Sequence, residues 1–275
     1  MNANYNKEFI DNIYEFLNCN QNGVIFDENN LKEREIETEL NRYHDATISE
    51  VNYASLVRQG GGAVESLEAW RSSDNGSEYP YPNIHPIQRK LVDSIKGANV
   101  TSVCELGAGA GEVSKYVYDV HENLNLCCVE NHSGHFSQML ENFETRTDVL
   151  PPDIKVSAKT IKNSIHNLNE VLEDDSYELV FTCTVMMHLP FLIACAVACE
   201  AARVSSKYIY HAESINNTKN TITEGDAGLR LSHVNFLQLD YRKIYDKLGF
   251  ECVSYEESPY PGANCDCAYY LGKKR

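Results

Sequence analysis

Two kinds of apolar pattern alternate along the chain from about residue 98 onward. Short continuous runs, typical of buried strands, occupy seven segments: 100–106, 124–131, 153–159, 177–185, 206–214, 250–258 and 266–274. Between most of them, apolar residues recur at helical spacing, in 112–123, 133–144, 191–204 and 235–250. Strands that alternate with helices predict a parallel sheet with helices on both faces.

The last two predicted strands are separated only by the turn-rich segment PYPGANC, residues 259–265. This connection has no room for a crossover helix, so the two strands must be antiparallel. We therefore predict an α/β fold with a doubly wound, mostly parallel seven-stranded sheet whose last strand is antiparallel.

The first 95 residues lack this alternation and have helical patterns over 9–20 and 29–59, with loops between and after them. We predict a helical N-terminal cap over residues 1–95 and a sheet domain over 96–275. Four residues near the end of the cap are candidates for substrate contact: Trp70, Arg71, Tyr79 and Tyr81. Aromatic residues in a loop can cover a ligand and exclude water, or they can fix the cap to the core, and both interpretations stay open.

The net charge of the chain and the length of its longest apolar run limit the kinds of partner that it can bind. The formal net charge is −16, and no cluster of Lys and Arg forms a basic stripe. This argues against a nucleic-acid or anionic-membrane partner, because a protein that binds either one needs a concentrated patch of positive charge. The polar start lacks the features of a secretory signal, and the longest apolar run is too short to cross a bilayer. We expect a soluble cytoplasmic protein whose ten cysteines are reduced, and the sequence does not indicate an oligomeric state.

A glycine loop follows the first predicted strand, with Gly107, Gly109 and Gly111 at alternate positions. A dinucleotide site would require a small residue at position 112, which is Glu112. A triphosphate loop would require Gly-Lys-Ser/Thr, which is absent. Moreover, Glu105 and Glu112 flank the loop, and a carboxylate about 4 Å from a phosphate charge costs roughly 1–4 kcal/mol. The pattern therefore favours a ligand that carries positive charge over one that carries phosphate.

The segment ELGAGAG, residues 105–111, resembles the E/D-x-G-x-G-x-G signature of class I S-adenosylmethionine-dependent methyltransferases. The next predicted strand ends at Glu130, where the family places an acid that binds the ribose hydroxyls. The segment YELVFTCTVMMHLP, residues 177–190, is similar to the family's fourth strand and following turn. The resemblance covers residues 98–275. It implies a Rossmann-like methyltransferase fold and S-adenosyl-L-methionine as the cofactor.

The resemblance also implies roles for individual residues. Glu105 would lie near the methionine amino group, and a carboxylate such as Glu130 can accept from both ribose hydroxyls at once. The family often has an acid near the end of the third strand that contacts adenine, but Lys159 and Thr160 stand here instead. The candidate cofactor-binding residues are Glu105, Gly107, Ala108, Gly109, Gly111, Glu130, Asn131, Thr160, Thr182 and Cys183.

Two histidines lie where predicted strands reach the sheet edge at which ligands bind: His188 after the fourth strand and His211 at the end of the fifth. Either could act as a base. His188 could instead cap the next helix, and His211 could be hydrogen-bonded in the core. His132 and His135 have the spacing of a metal pair, but no third ligand can be named. We predict no metal site.

The function expected from these features is methyl transfer from S-adenosylmethionine to a small polar metabolite. The two histidines favour O-methylation, for example of a sugar or a natural-product intermediate. The alternatives are N-methylation of a small molecule, methylation of a protein, and a non-catalytic protein that binds S-adenosylmethionine.

Overall fold

A computed structural model describes residue 11 and residues 86–121, 124–144, 158–186, 189, 191–215, 241–259 and 266–275. Most of the predicted helical cap lies outside these residues. Its described part consists of Asp11 and the first ten residues of a helix that starts at Pro86.

The seven described strands are β1 (Ser102–Leu106), β2 (Asn125–Glu130), β3 (Ala158–Lys162), β4 (Tyr177–Cys183), β5 (Ser205–Ile215), β6 (Phe250–Pro259) and β7 (Asp266–Lys274). They form one sheet in the order β3-β2-β1-β4-β5-β7-β6. β7 is antiparallel to both of its neighbours, whereas the other neighbouring pairs are parallel. The predicted seven-stranded sheet with an antiparallel last strand is confirmed.

Helices cover both faces of this sheet: α1 (Pro86–Ala98), α2 (Glu112–Val120), α3 (Ser133–Glu144), α4 (Phe191–Val204) and α5 (Tyr241–Lys247). α1, α2 and α3 pack on one face, and α4 and α5 pack on the other. Successive strand residues serve opposite faces, so Val103 packs towards α1 and Cys104 towards α4. α4 is almost entirely apolar, as expected of a helix buried on all sides.

α1 runs across the predicted domain boundary between residues 95 and 96. Its apolar side chains Leu91, Val92 and Ile95 are buried in the same cluster as the residues of β1 and α2. This helix therefore packs as part of the sheet domain, and the division into a cap and a sheet domain stays a prediction.

The third strand extends further along the sequence than its apolar pattern indicates. We expected it over 153–159, whereas β3 runs from Ala158 to Lys162, and residues 151–157 lie outside the described residues. β3 is an edge strand whose side chains are half-buried or exposed. An edge strand needs no continuous apolar run, so hydropathy is a weak guide to its position.

Eight cysteines are described, and no disulfide bond joins any two of them. Cys252 is exposed, and the other seven are buried. Among the described residues, no helix combines the length and the apolar character that crossing a membrane requires.

Candidate functional site

The glycine loop leaves the carboxyl end of β1 and leads into α2. Gly107, Gly109 and Gly111 have φ angles of 77°, 55° and 78°, in the left-handed region that favours glycine. At two of these positions, Gly107 and Gly111, the neighbouring side chains also leave no room for a Cβ atom. A Cβ atom would lie 2.8 Å from both Cγ atoms of Val185 at Gly107, and 2.8 Å from Cγ of Met139 at Gly111.

Gly109 differs from its two neighbours in the loop. Among the described residues, a Cβ atom at this position would meet no heavy atom within 4 Å. Gly109 therefore marks the open side of the loop, where a ligand can approach the backbone closely.

Four backbone amides of the loop are directed into the protein. Gly107 and Ala108 donate to the carbonyl oxygen of Val129, over 2.9 and 3.0 Å, and Gly111 donates to the carbonyl oxygen of Ala108 over 2.8 Å. The amide of Gly109 donates to Oε2 of Glu130 over 2.8 Å. Phosphate-binding loops instead direct their amides at the ligand. This geometry argues against a phosphate ligand.

α3 holds the far end of the loop. Asn142 Nδ2 donates to the carbonyl oxygen of Ala110 over 2.8 Å. The side chains of Met139 and Phe143 lie against Gly111, at 2.8 and 3.2 Å from the position that its Cβ would take. β2, α3 and the turn after β4 thus enclose the loop on three sides, and none of the residues that the structure describes fills the space at Gly109.

Glu130 ends β2 beside this opening and is 8% exposed. Its Oε1 accepts the backbone amide of His132 over 2.7 Å, and its Oε2 accepts that of Gly109. Burial raises the pKa of Glu130 above its usual value, although the backbone hydrogen bonds oppose this shift. Each oxygen of a carboxylate can accept more than one hydrogen bond, so Glu130 can accept hydroxyl donors of a ligand in addition to backbone amides. Glu130 can therefore organise the loop and bind a diol at the same time.

Glu105 lies beneath the loop, on the side of α2, and is 2% exposed. It accepts a hydrogen bond from the hydroxyl of Ser114. Burial raises its pKa to about 8, and the charge of Glu130 adds to the rise, whereas the hydrogen bonds from Ser114 lower the pKa. Glu105 is thus largely neutral at pH 7. The repulsion that we expected it to exert on a phosphate is mostly absent, and its contact with a methionine amino group stays a prediction.

Thr182, the last residue but one of β4, pairs in register with His211, which lies in the middle of β5. The Oγ1 atom of Thr182 lies 2.6 Å from Nδ1 of His211, and Nε2 of His211 lies 2.6 Å from the hydroxyl of Tyr245. Burial lowers the pKa of His211 to about 3. His211 is therefore hydrogen-bonded within the core, the alternative that the sequence left open.

The other candidate cofactor residues lie at or near this edge. Cys183 ends β4, buried on the face opposite to Thr182, and burial raises the pKa of its thiol. Asn131 directly follows Glu130 and is half-buried. Thr160 is also half-buried and pairs in register with Cys128, so it lies beside the middle of β2. Their contacts with a cofactor stay predictions.

Several candidates lie outside the described residues, namely His188, Trp70, Arg71, Tyr79 and Tyr81. Their predicted catalytic and substrate roles stay predictions. The rings of His132 and His135 have their centroids 4.8 Å apart. In the part of the chain that the structure describes, no group of three potential ligands is placed to hold a metal ion.

Glu213, a buried acid near the end of β5, is not among the residues predicted from the sequence. It accepts hydrogen bonds from the side chain of Thr182 and from the backbone of Val185. A carboxyl group is rarely buried without a partner. An acid that follows the apolar part of a predicted strand was therefore a usable signal.

No protein-family model matches the sequence, and no curated protein matches it. Solved structures do match. Magnesium protoporphyrin IX methyltransferase from Synechocystis PCC 6803, with bound SAH, has a TM-score of 0.56 at 12% identity, covering 77% of this chain and 95% of that chain. The chain has the class I methyltransferase fold.

Two further matches bear on how far this fold identifies a reaction. The 1,6-didemethyltoxoflavin-N1-methyltransferase of Burkholderia thailandensis has a TM-score of 0.55 at 11% identity, covering 82% of this chain and 90% of that chain. The [4+2]-cyclase SpnF has a TM-score of 0.50 at 10% identity, covering 67% of this chain and 80% of that chain. Because SpnF is a cyclase, the class I methyltransferase fold does not by itself specify methyl transfer.

Proposed function

We propose that this protein binds S-adenosyl-L-methionine between the glycine loop and Glu130 and transfers its methyl group to a small molecule. The arrangement of Gly109 and Glu130 carries the proposal. Gly109 leaves one side of the loop open, and Glu130 places a carboxylate directly beside that opening.

The chemistry of this cradle fits S-adenosylmethionine better than a phosphate ligand. Four amides of the loop are already used within the protein, and Glu130 would repel a phosphate. Its remaining acceptor positions suit the two ribose hydroxyls. A sulfonium cation meets no unfavourable charge from Glu130 or from the largely neutral Glu105.

When bound, S-adenosylmethionine supplies an electrophilic methyl group. The residues of the chain have to bind and orient the two reactants, because alignment of the acceptor with the methyl–sulfur bond supplies much of the rate. Glu130 would fix the ribose, and Gly109 would allow the ligand to approach the backbone. Val185, packed over Gly107, would form one wall of the cradle.

As a narrower proposal, the acceptor is an oxygen atom of a small polar metabolite, such as a sugar or a natural-product intermediate. An acceptor hydroxyl has a proton that must leave, and His188 is the candidate base, since His211 is enclosed in the core. The net charge of −16 favours a small acceptor over a nucleic acid. We place the reaction in the cytoplasm.

Calorimetry with S-adenosylmethionine and S-adenosylhomocysteine tests the cofactor. Intact protein should bind both, and Glu130→Ala should weaken each at least about tenfold, because charge-assisted hydrogen bonds are lost. Glu178→Ala is a matched control. Glu178 also accepts a backbone amide, that of Thr101 over 2.6 Å, but it lies near the amino end of β4, at the opposite end of the strands from the glycine loop. Absence of binding by the intact protein would contradict the proposal.

Transfer of a labelled methyl group to a panel of small hydroxyl, amine and peptide acceptors tests the reaction. Labelled O-methyl products, lost in His188→Ala, would support the narrower proposal. If the label appears only on nitrogen atoms or only on protein, the acceptor is an amine or a protein, and the proposal of O-methylation is wrong. Tight binding without transfer to any acceptor class would indicate a protein that binds the cofactor for another purpose.

A further inference from the structure

Glu213 holds the turn that leaves β4. The side chain is 1% exposed, and its Oε1 accepts two hydrogen bonds. One comes from Oγ1 of Thr182 over 2.7 Å, and the other comes from the backbone amide of Val185 over 3.1 Å. A single carboxylate of β5 thus binds both the end of β4 and the residue three positions later.

The turn between these two donors has an unfavourable conformation. Thr184 has a φ of 56°, and a β-branched residue in the left-handed region is strained. Such a conformation persists only where the surrounding structure holds it. Here the amide of Thr184 donates to the carbonyl oxygen of Ala212 over 2.9 Å, so the backbone of β5 holds the turn together with Glu213.

The turn matters because it forms part of the glycine loop's surroundings. Val185 places both of its Cγ atoms 2.8 Å from the position that a Cβ atom of Gly107 would take. A shift of Val185 would therefore change the wall of the cradle next to Gly107. Glu213, Val185 and Gly107 form a continuous series of contacts from β5 to the loop.

The carboxylate of Glu213 is itself fixed by a directed chain of hydrogen bonds. The hydroxyl of Thr182 has one proton, which it donates to Glu213, so it must accept from Nδ1–H of His211. A neutral His211 then accepts at Nε2 from the hydroxyl of Tyr245. The ring of Tyr241 stacks on His211, with 4.7 Å between the ring centroids.

We propose that Glu213 is a positioning residue of the cofactor site, which holds the turn of residues 182–185 against the glycine loop through the chain Tyr245–His211–Thr182. The effect on ligand affinity rests on the proposed function, since the ligand measured is S-adenosylhomocysteine. The state of the turn can be measured without any ligand, so the two proposals can fail separately.

Two substitutions at position 213 separate positioning from other roles. Glu213→Leu removes the acceptor, whereas the amide oxygen of Glu213→Gln can still accept from both Thr182 and Val185. We expect Glu213→Leu to weaken S-adenosylhomocysteine binding at least about tenfold and Glu213→Gln by no more than about threefold. If Glu213→Gln binds as weakly as Glu213→Leu, the charge itself is required and positioning by hydrogen bonds is wrong.

Glu200→Leu is the matched control for loss of a buried carboxylate. Glu200 is also buried on the α4 side of the sheet and accepts a backbone amide, that of Leu168 over 2.8 Å. It also pairs with Arg203 and has no contact with the loop among its hydrogen bonds to described residues. Glu200→Leu should lower the free energy of unfolding but leave affinity unchanged, when affinities are compared below each variant's unfolding transition. An equal loss of affinity in Glu200→Leu would overturn the proposal.

Nuclear magnetic resonance on the protein without ligand gives the independent measurement. His211 should be the neutral tautomer protonated at Nδ1, seen in its ring ¹⁵N shifts. The Val185 amide should exchange with solvent at least about tenfold faster in Glu213→Leu than in Glu213→Gln. If the Val185 amide exchanges as slowly in Glu213→Leu as in the intact protein, the proposal is wrong, whatever affinity is measured. If the intact protein binds no S-adenosylhomocysteine, the proposed function fails, and amide exchange alone decides whether Glu213 holds the turn.

Discussion

The backbone amide of Gly109 donates to Oε2 of Glu130 over 2.8 Å, which ties the loop after β1 to the end of β2. This bond joins the residue that leaves the loop open to the acid that lies beside the opening. It also turns the Gly109 amide away from any ligand. Binding at this loop therefore depends on close approach to the backbone and on the Glu130 carboxylate, and less on amide donors.

Gly109→Ala should separate binding from stability. Alanine at φ 55° loses about 1 kcal/mol of stability, but its Cβ enters open space among the described residues, so the fold should persist. The same Cβ would occupy the ligand's side of the loop and weaken S-adenosylhomocysteine binding at least about tenfold, measured by calorimetry. Gly249→Ala is the control, because Gly249 has φ 84° and equally open space, at the end of α5. Equal effects of the two variants on affinity would refute this prediction.

Gly111→Ala should destabilise the fold more strongly than Gly109→Ala. The new Cβ would add a clash with Met139 and Phe143 to the backbone strain at φ 78°. Strain and overpacking together predict a loss of about 2–4 kcal/mol in the free energy of unfolding. Urea denaturation of the two variants measures the difference. Similar losses in both would show that α3 does not pack against the loop as described.

Glu105 should make stability depend on pH. The pKa of Glu105 in the folded protein is about 8, above the ordinary value of 4.5. Its contribution to the free energy of unfolding is therefore fully present below about pH 4.5. The contribution is lost as pH rises through about 8, because the unfolded chain ionises more readily. Glu105→Gln should remove this part of the pH dependence, on the order of a few kcal/mol between pH 5 and 9. Urea denaturation across that pH range measures the difference, and Glu178→Gln, near the amino end of β4, is the control.

His211 should not titrate at ordinary pH. Burial lowers its pKa to about 3 from 6.5, so its contribution to stability is present above pH 6.5 and is lost as pH falls towards 3. Between pH 5 and 8 its ring ¹⁵N and ¹H shifts should stay constant, whereas exposed histidines move. A His211 midpoint near 6.5 would contradict its enclosed placement and restore it as a candidate base.

Much of the fold could be predicted from the sequence, because central strands are buried on both faces and carry continuous apolar runs. β1, β2, β4 and β5 lie within two residues of their predicted limits, and the limits of β7 agree with those predicted. β3 ends at Lys162, three residues past its predicted limit, because an edge strand lacks that signal. Glu130 was singled out by the resemblance to the methyltransferase family, and the structure places it beside the glycine loop, while its contact with a ligand stays a prediction.

The electrostatics of the site could not be predicted in the same way. The sequence shows Glu105 as a charge beside the loop, but the side chain points to Ser114 and is buried, so it is largely neutral. Likewise, amide directions depend on backbone angles that spacing does not specify, yet they argue against phosphate more directly than charge does. Glu213 acts through Thr182 and Val185, residues about 30 positions away, and such partners appear only after folding.

β7 occupies a place in the sheet between two strands that precede it in the sequence. During synthesis, β5 is therefore complete well before residues 266–274 exist to pair with it. Until then the nascent chain presents an unpaired strand edge, the kind of surface that chaperones shield and that otherwise aggregates. Ribosome-bound chains that stop before Asp266 should consequently be the species most dependent on chaperones.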